Sequence, residues 1–392
     1  MKKKIAIIGS TGSIGKNLLE IISNDINDFK INLLTADKDH KTLLRQAKKF
    51  NVTNLIIKNK SSYKVLKKKT SNSNIKVFNS FEHLGLIFKN KIDYVMNSIM
   101  GIDGLEPTIK IIKYTKNLAI ANKESIICGW NIILKELKKN NTNFIPVDSE
   151  HFSIWYGLQN LKATNVEKIY LTASGGPFRK LSLNKFKKIK INQAVSHPNW
   201  TMGKKISVDS ATMINKVYEV IEAKNIFNIP YQNIEIIIHP KSYIHALIKF
   251  TNGLTTIIAH DTTMKIPIFN SLYSKSDKKI FTNTINFKTL NNLNLSKLNS
   301  IRYPMIKLLK ILPSKSSLFE TVIVAANDTL VDLFLNKKIN FINIQKELFK
   351  ILKLKEFNKF KKISPKKLED VIKLNDYVRL KVLKKVYKFT DV

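Results

Sequence analysis

From Lys4 to about Pro146, short apolar runs alternate with amphipathic stretches, and the two differ in period. The runs KIAIIG, INLLTA, NLIIK, DYVMNS, NLAIAN and NFIPV are rich in Ile, Leu and Val and end in polar or turn residues, which predicts buried strands. Between them, KNLLEIIS and TLLRQAKKF place apolar residues at helical spacing. Strand-helix alternation of this kind predicts a parallel, doubly wound sheet whose ligands lie at the carboxyl ends of its strands.

After His151 the rhythm changes. VEKIYLTA reads as a strand running into the glycine turn SGGPF, a polar stretch follows, and a helix is expected from about Ala211 to Phe227. NIEIIIHP is another strand, and YIHALIKF-TNG-LTTIIAH reads as a hairpin because Asn252-Gly253 suits its turn. From about Arg302 the text is mostly helical, with FETVIVAANDTLVDLFL the clearest periodic segment, and the Asn, Leu and Ser-rich text of 286–301 reads as a linker. The expectation is therefore an α/β fold in three parts: a doubly wound, Rossmann-like domain over 1–147, a central α+β domain over 148–285, and a C-terminal helical bundle over 302–392.

Composition narrows the class. The 392 residues are 44% hydrophobic and 24% charged, ordinary for a globular protein, and no apolar run approaches the ~18 residues of a membrane helix. Cys128 is the only cysteine, which excludes an intrachain disulfide and a thiolate zinc cluster and suits a cytoplasmic location. The net charge of +38 invites a nucleic-acid reading. Its lysines are spread along the whole chain among Asn and Ile, so drift in composition is the better reading, and neither a specific nucleic-acid partner nor a membrane is expected.

Three stretches carry chemistry. Gly9-Ser-Thr-Gly12-Ser-Ile-Gly15 follows a strand and opens a helix, where glycines let backbone amides approach a pyrophosphate. At the end of the second strand Asp37 and Asp39 favour a free ribose hydroxyl, whereas Lys38 favours a 2'-phosphate. PVDSEH, residues 146–151, follows another strand; read as extended chain, it points Asp148 and Glu150 to one side, as metal ligands, an acid/base pair or a polar turn. The third stretch, 196–223, offers Ser210 as a helix cap and sets Asn215, Lys216 and Glu219 on one helix face, joining a phosphate-binding pair to a third acid. That third acid supports a metal site, and a surface helix with an i, i+3 salt bridge stays open beside it. Ser174 with Gly175 and Gly176, and His197 with Trp200 and Gly203, add anion donors, while His239, His245 and His260 read as structural.

Taken together, GSTGSIG (9–15), GIDGLEPT (101–108), ANKES (121–125), PVDSEH, SGGPFR (174–179), HPNWTMGKKISVDSATMINK (197–216) and AAND (325–328) resemble the 1-deoxy-D-xylulose 5-phosphate reductoisomerase family almost end to end. The resemblance implies an NADPH-dependent, metal-dependent isomerisation and reduction of a phosphorylated ketose, in a homodimer. It implies Thr11, Gly12, Ser13 and Ile14 at the cofactor pyrophosphate, Asp37, Lys38 and Asp39 at the adenosine end, and Asn122, Glu124 and Gly203 along the rest of NADPH. Asp148, Glu150 and Glu219 would bind one Mg2+ or Mn2+, and Ser174, Ser210, Asn215 and Lys216 would hold the substrate phosphate with His197 beside it. Lys123 and Ser149 would contact the reacting carbons, His151 is the proton-transfer candidate, and Trp200 and Met202 belong to a closing flap. Asp37 and Asp39 depart from the family's more usual Gly and Asn, and Asp328 from its Glu.

Two other readings stay open. A two-domain dehydrogenase of another small phosphorylated or acyl substrate would need a nucleophilic cysteine, and a basic nucleic-acid-binding protein would need only its charge.

Overall fold

The computed structural model describes residues 2–159, 165–273 and 278–387. Two compact units emerge: Met1–Ser125, Ile132–Phe152 and Met264–Phe281 form the first, and Ile126–Asn131, Ser153–Thr263 and Thr282–Val392 the second.

Unit one is built on seven parallel strands: β1 (Lys3–Ile8), β2 (Phe29–Ala36), β3 (Asn54–Ile57), β4 (Lys76–Phe78), β5 (Tyr94–Asn97), β6 (Asn117–Ile120) and β7 (Asn143–Pro146). Their order is β4-β3-β2-β1-β5-β6-β7. Six of them are the six expected apolar runs. β4 was not anticipated: three half-exposed residues at a sheet edge leave too little pattern to read. The chain starts at the centre, winds to one edge, and returns to pair β5 with β1, so the switch point lies where β1 and β5 end. Helices Ser13–Asn24 (α1), His40–Lys49 (α2), Lys123–Lys139 (α3) and Ser149–Gly157 (α4) start just beyond β1, β2, β6 and β7. The core is dense with aliphatic side chains, Ile5, Ile7, Leu33, Leu34 and Leu118 being fully buried.

Unit two holds β8 (Val166–Ala173), β9 (Ile234–Ile238), β10 (Ile244–Phe250), β11 (Thr255–Ala259) and β12 (Ser296–Lys297), in the order β11-β10-β8-β9-β12. Only β8 and β9 run parallel. The expected hairpin forms at Asn252-Gly253, where Gly253 takes φ +87° and its amide donates to Phe250 O at 3.0 Å. The segment expected as linker supplies β12 at the edge of this sheet.

The helix expected over Ala211–Phe227 is two helices, Lys204–Thr212 (α5) and Ile214–Phe227 (α6), divided at Met213. Met213 is buried and left-handed, with φ +69° and ψ +7°. Such a conformation costs a non-glycine residue about 1–2 kcal/mol, so packing must hold it there. Ser210 therefore lies inside α5 and does not cap the second helix; its carbonyl accepts the Met213 amide at 3.1 Å.

C-terminal to these lie Phe319–Leu335 (α7), Phe341–Leu352 (α8) and Leu368–Tyr387 (α9). α7 is buried on nearly every face, packed against α5, α8 and α9, which explains an apolar text with little polar relief. None of the helices is long and apolar enough to cross a membrane, among the described residues.

Near the start of α7, burial raises the Glu320 carboxyl to about 7, against hydrogen bonds from the amide and hydroxyl of Ser317 and the charge of Lys224. A carboxyl raised in the folded state stabilises most below its unfolded value near 4.5, and that contribution disappears as pH climbs through about 7. A carboxyl that titrates one pH unit higher in the folded chain than in the unfolded one contributes about 1.4 kcal/mol in this way. Wild-type thermal stability is thus expected to fall by a few kcal/mol between pH 5 and 8, and Glu320→Gln to flatten that slope. Parallel slopes for the two proteins, by calorimetry, would refute it.

Candidate active site

In unit one, the glycine loop lies at the switch point. Gly9 takes φ +85° against Ser98, whose hydroxyl donates to Ile8 O (2.9 Å) and Gly9 O (3.1 Å). A Cβ on Gly15 would stand 2.6 Å from Gly9 O, so glycine there lets α1 begin tightly against β1. Gly12 occupies the N-cap, no side chain caps the helix, and its first turn holds no acid. Gly12 and Ser13 are exposed. An uncapped helix start beside a tight turn fits a pyrophosphate, whose charge the first amides and the helix dipole would meet.

Beyond β2, the three polar residues divide their labour. Asp39 caps α2, accepting the Thr42 amide at 3.0 Å, and that bond holds its carboxyl below the usual range. Asp37 and Lys38 are exposed and 4.0 Å apart. Both acids are exposed, so Asp39 carries its charge at the surface while it caps α2.

Asn122 caps α3, accepting Ser125 N at 2.8 Å, while its amide nitrogen donates to Ile99 O and, at 2.5 Å, to Gly101 O. It ties ANKES to GIDG. Lys123, the first residue of α3, reaches Asp148 Oδ2 at 2.9 Å. Glu124 beside it is buried.

PVDSEH turns out to be a strand end followed by a helix start, not extended chain. α4 begins at Ser149, and Phe152 N donates to Asp148 O at 2.7 Å. Asp148 Oδ1 accepts Glu150 N (3.3 Å) and lies 3.0 Å from His151 Nδ1; a carboxylate there makes Nδ1 the donor. Burial would raise the Asp148 carboxyl, but Lys123 and His151 outweigh it and hold it well below the usual range. His151 is completely buried and orients Asp148. Ser149 donates to Glu150 Oε2 at 2.5 Å. Ionised oxygen donors of this kind suit a hard divalent cation.

In unit two, the turn after β8 presses on α5. A Cβ on Gly176, at φ +65°, would come within 3.1 Å of Ser210 O, so glycine allows Ser174 and Ser210 to approach on adjoining backbones. Ser174 Oγ accepts Gly176 N at 3.1 Å and meets His197 Nε2 at 3.0 Å. His197 Nδ1 accepts the amides of Asn199 (3.2 Å) and Trp200 (3.0 Å), which leaves Nε2 as its proton-bearing nitrogen. Desolvation and then the Lys216 charge lower His197 to about 4. At neutral pH it is an uncharged donor pointing at Ser174.

On α6, Asn215 Nδ2 donates to Glu219 Oε1 at 2.5 Å, and buried Lys216 pairs with Glu219 Oε2. The expected shared face is real. Trp200 lies edge-on to His245, which stacks on His260 at 3.7 Å. Gly203 caps α5, but a Cβ there would meet nothing within 4 Å, so no close approach demands glycine.

One network had little sequence signal. Lys205 lies 3.0 Å from both Asp209 and Asp328, Asn327 donates to Asp209 at 2.8 Å, and Arg379 stands 3.6 Å from Asp328. AAND supplies two of these partners, yet their distance in sequence from Lys205 hides the bond between α5, α7 and α9.

A doubly wound parallel sheet with a glycine loop and an uncapped helix start at its switch point is the architecture of an NAD(P)-dependent oxidoreductase. Family models described as 1-deoxy-D-xylulose 5-phosphate reductoisomerase match residues 5–129, as its C-terminal domain 144–227, and as the DXP reductoisomerase C-terminal domain 261–381. The chain belongs to this family. The reductoisomerase of Pelagibacter ubique is 59% identical over 97% of this chain and 98% of its own length, and that of a Sulfurihydrogenibium species 36% identical over 91% and 92%. Among solved structures, the Zymomonas mobilis reductoisomerase in complex with NADPH shares 30% identity at a TM-score of 0.87, covering 98% of this chain and 99% of that one. A DOX-P reductoisomerase in complex with NADPH, fosmidomycin and magnesium shares 28% at 0.90, covering 99% of each chain. The cysteine-dependent alternative loses its nucleophile, because Cys128 is wholly buried within α3.

Proposed function

We propose that the protein converts 1-deoxy-D-xylulose 5-phosphate to 2-C-methyl-D-erythritol 4-phosphate by isomerisation and NADPH-dependent reduction, as a cytoplasmic homodimer using one Mg2+ or Mn2+. The observation that carries this reading is 59% identity over nearly the whole length of a reductoisomerase.

Ser174, Ser210, Asn215 and Lys216 hold the substrate phosphate, and His197 contributes its Nε2 proton as a neutral donor. Uncharged at working pH, it adds direction to the clamp without a second buried cation beside Lys216. Phosphate binding is remote from the reacting carbons, so its energy can fix their orientation and favour closure of the segment bearing Trp200 and Met202. Lys123 places positive charge beside the reacting carbons, and Ser149 orients a substrate hydroxyl. Asp148, Glu150 and Glu219 hold the cation, which when bound supplies Lewis-acid polarisation of the substrate oxygens. His151 keeps Asp148 ionised and oriented, as donors to metal-binding carboxylates do, and is placed to relay a proton. Thr11, Gly12, Ser13 and Ile14 receive the pyrophosphate of NADPH, which supplies the hydride, and Asn122, Glu124 and Gly203 border the rest of it.

Following NADPH absorbance with 1-deoxy-D-xylulose 5-phosphate, with and without Mg2+, tests the reading. Oxidation that needs both substrate and metal supports it, and no oxidation with Mg2+ or with Mn2+ in its place defeats it. Weakened preference for NADPH over NADH is assigned to the exposed acids Asp37 and Asp39, and Asp37 is the one that can be replaced without removing the cap of α2. Replacing this exposed acid, Asp37→Gly, is expected to raise the kcat/KM ratio of NADPH over NADH about fivefold, the value of about 1 kcal/mol of surface repulsion. An unchanged ratio would show that Asp37 faces away from the ribose.

A further inference from the structure

The chain contains four arginines, Arg45, Arg179, Arg302 and Arg379, against a large excess of lysine. Arginine differs from lysine in its planar, rigid fork, which can pair two phosphate oxygens at once. Arg379 serves Asp328. Two of the others, Arg179 and Arg302, line one cavity in unit two.

The cavity holds about 550 Å³, within the range of small-molecule sites. Its cations are Arg179, Lys180, Lys241, Lys297 and Arg302, and no acidic residue lines it. They come from three chain segments: the end of the SGGPFR turn, the bend after β9, and the stretch through β12 to Arg302. None of the five makes an ion pair among the described residues, although Lys168, Lys205 and Lys249 of the same unit do. Gathering cations around a concave surface without counter-charge raises the local potential and costs stability through repulsion.

Part of the wall is held rigidly. Arg302 donates from Nη1 to Phe178 O (2.9 Å) and Leu181 O (2.7 Å), and its guanidinium lies 5.9 Å from the Phe186 ring centre. Tyr303 donates its hydroxyl to Gly175 O at 2.7 Å. Arg179, half-buried, makes no hydrogen bond or ion pair among the described residues, and its side chain lies against Gly175. A half-buried guanidinium that makes no ion pair, in a cavity with cations on several sides, can take a phosphate oxygen pair in bidentate fashion.

The pocket shares no residue with the clamp of Ser174, His197, Ser210, Asn215 and Lys216. We infer that it is a second anion site, which binds a small diphosphate-bearing molecule between Arg179 and the lysines Lys241 and Lys297. A diphosphate is favoured over a single phosphate because cations on separate segments surround a space larger than one phosphate. A ligand charged at both ends meets more of them. The inference stands apart from the proposed reaction, since it concerns binding alone.

The test uses the full-length protein and sodium pyrophosphate, in calorimetric titration and thermal unfolding, with sodium chloride at equal ionic strength as control. Saturable binding with a rise in Tm is expected for the wild type. Arg179→Gln combined with Lys241→Gln should weaken it at least tenfold, while Lys216→Gln in the catalytic clamp should leave it in place. If the double variant does not fold, Lys241→Gln alone, an exposed change, should weaken binding at least threefold. Stabilisation matched by chloride, or affinity unmoved by the pocket variants, overturns the site. Affinity abolished by Lys216→Gln would place pyrophosphate in the clamp and overturn it equally.

Discussion

Glu219→Gln is expected to abolish metal-dependent NADPH oxidation, with kcat/KM falling at least a thousandfold, or about 4 kcal/mol. The carboxylate has two duties. It is the third acid of the proposed cation site, and it is the partner of buried Lys216, with Asn215 on its other oxygen. Gln keeps the size and a carbonyl, but removes the charge that a divalent cation selects. Two readouts separate the duties. Mn2+ affinity of the folded protein, followed by electron paramagnetic resonance without substrate, should fall at least tenfold, whereas Tm reports the lost charge partner of Lys216. Full activity at limiting metal, or unchanged Mn2+ affinity, would remove Glu219 from the ligand set.

Lys216→Gln should act differently. A buried charge-assisted contact to phosphate is worth about 2–3 kcal/mol, so KM for the ketose phosphate is expected to rise about a hundredfold. kcat should fall too, by a smaller factor, because remote binding energy also serves closure over the substrate. KM for NADPH should stay within twofold. Since the Lys216 charge depresses His197, the same variant should also raise His197 from about 4 toward its ordinary value, visible in an NMR titration. A phosphate clamp built elsewhere would leave KM for the ketose phosphate near wild type.

These two effects rest on a helix face legible in the sequence, since Asn215, Lys216 and Glu219 at spacings of three and four must converge in any α-helix. The six longer parallel strands and the Asn252-Gly253 hairpin were legible for similar reasons: each carries its own period or turn signal. β4 and β12 were not, because three and two residues at sheet edges are too short to show alternation. The break at Met213 left no trace, because methionine has no preference for left-handed backbone and only surrounding packing can impose it. Without that break, Ser210 looked like a helix cap. PVDSEH was read as extended because its strand ends so close to its helix, a boundary that local text resolves poorly. Asp39 illustrates the remaining kind of ambiguity: one carboxylate can face a ribose and cap a helix, and local text shows neither duty.

Met213 also has a mechanical meaning. A continuous helix from Lys204 to Phe227 would be a rod of about 36 Å, and any tilt at one end would reach the other. A single left-handed residue makes it two levers meeting at a pivot. One carries the Trp200 and Gly203 side, and the other carries Asn215, Lys216 and Glu219. Ser210 rides on the first lever and Asn215 and Lys216 on the second, so the angle that packing imposes at Met213 sets how the two parts of the proposed phosphate clamp face each other.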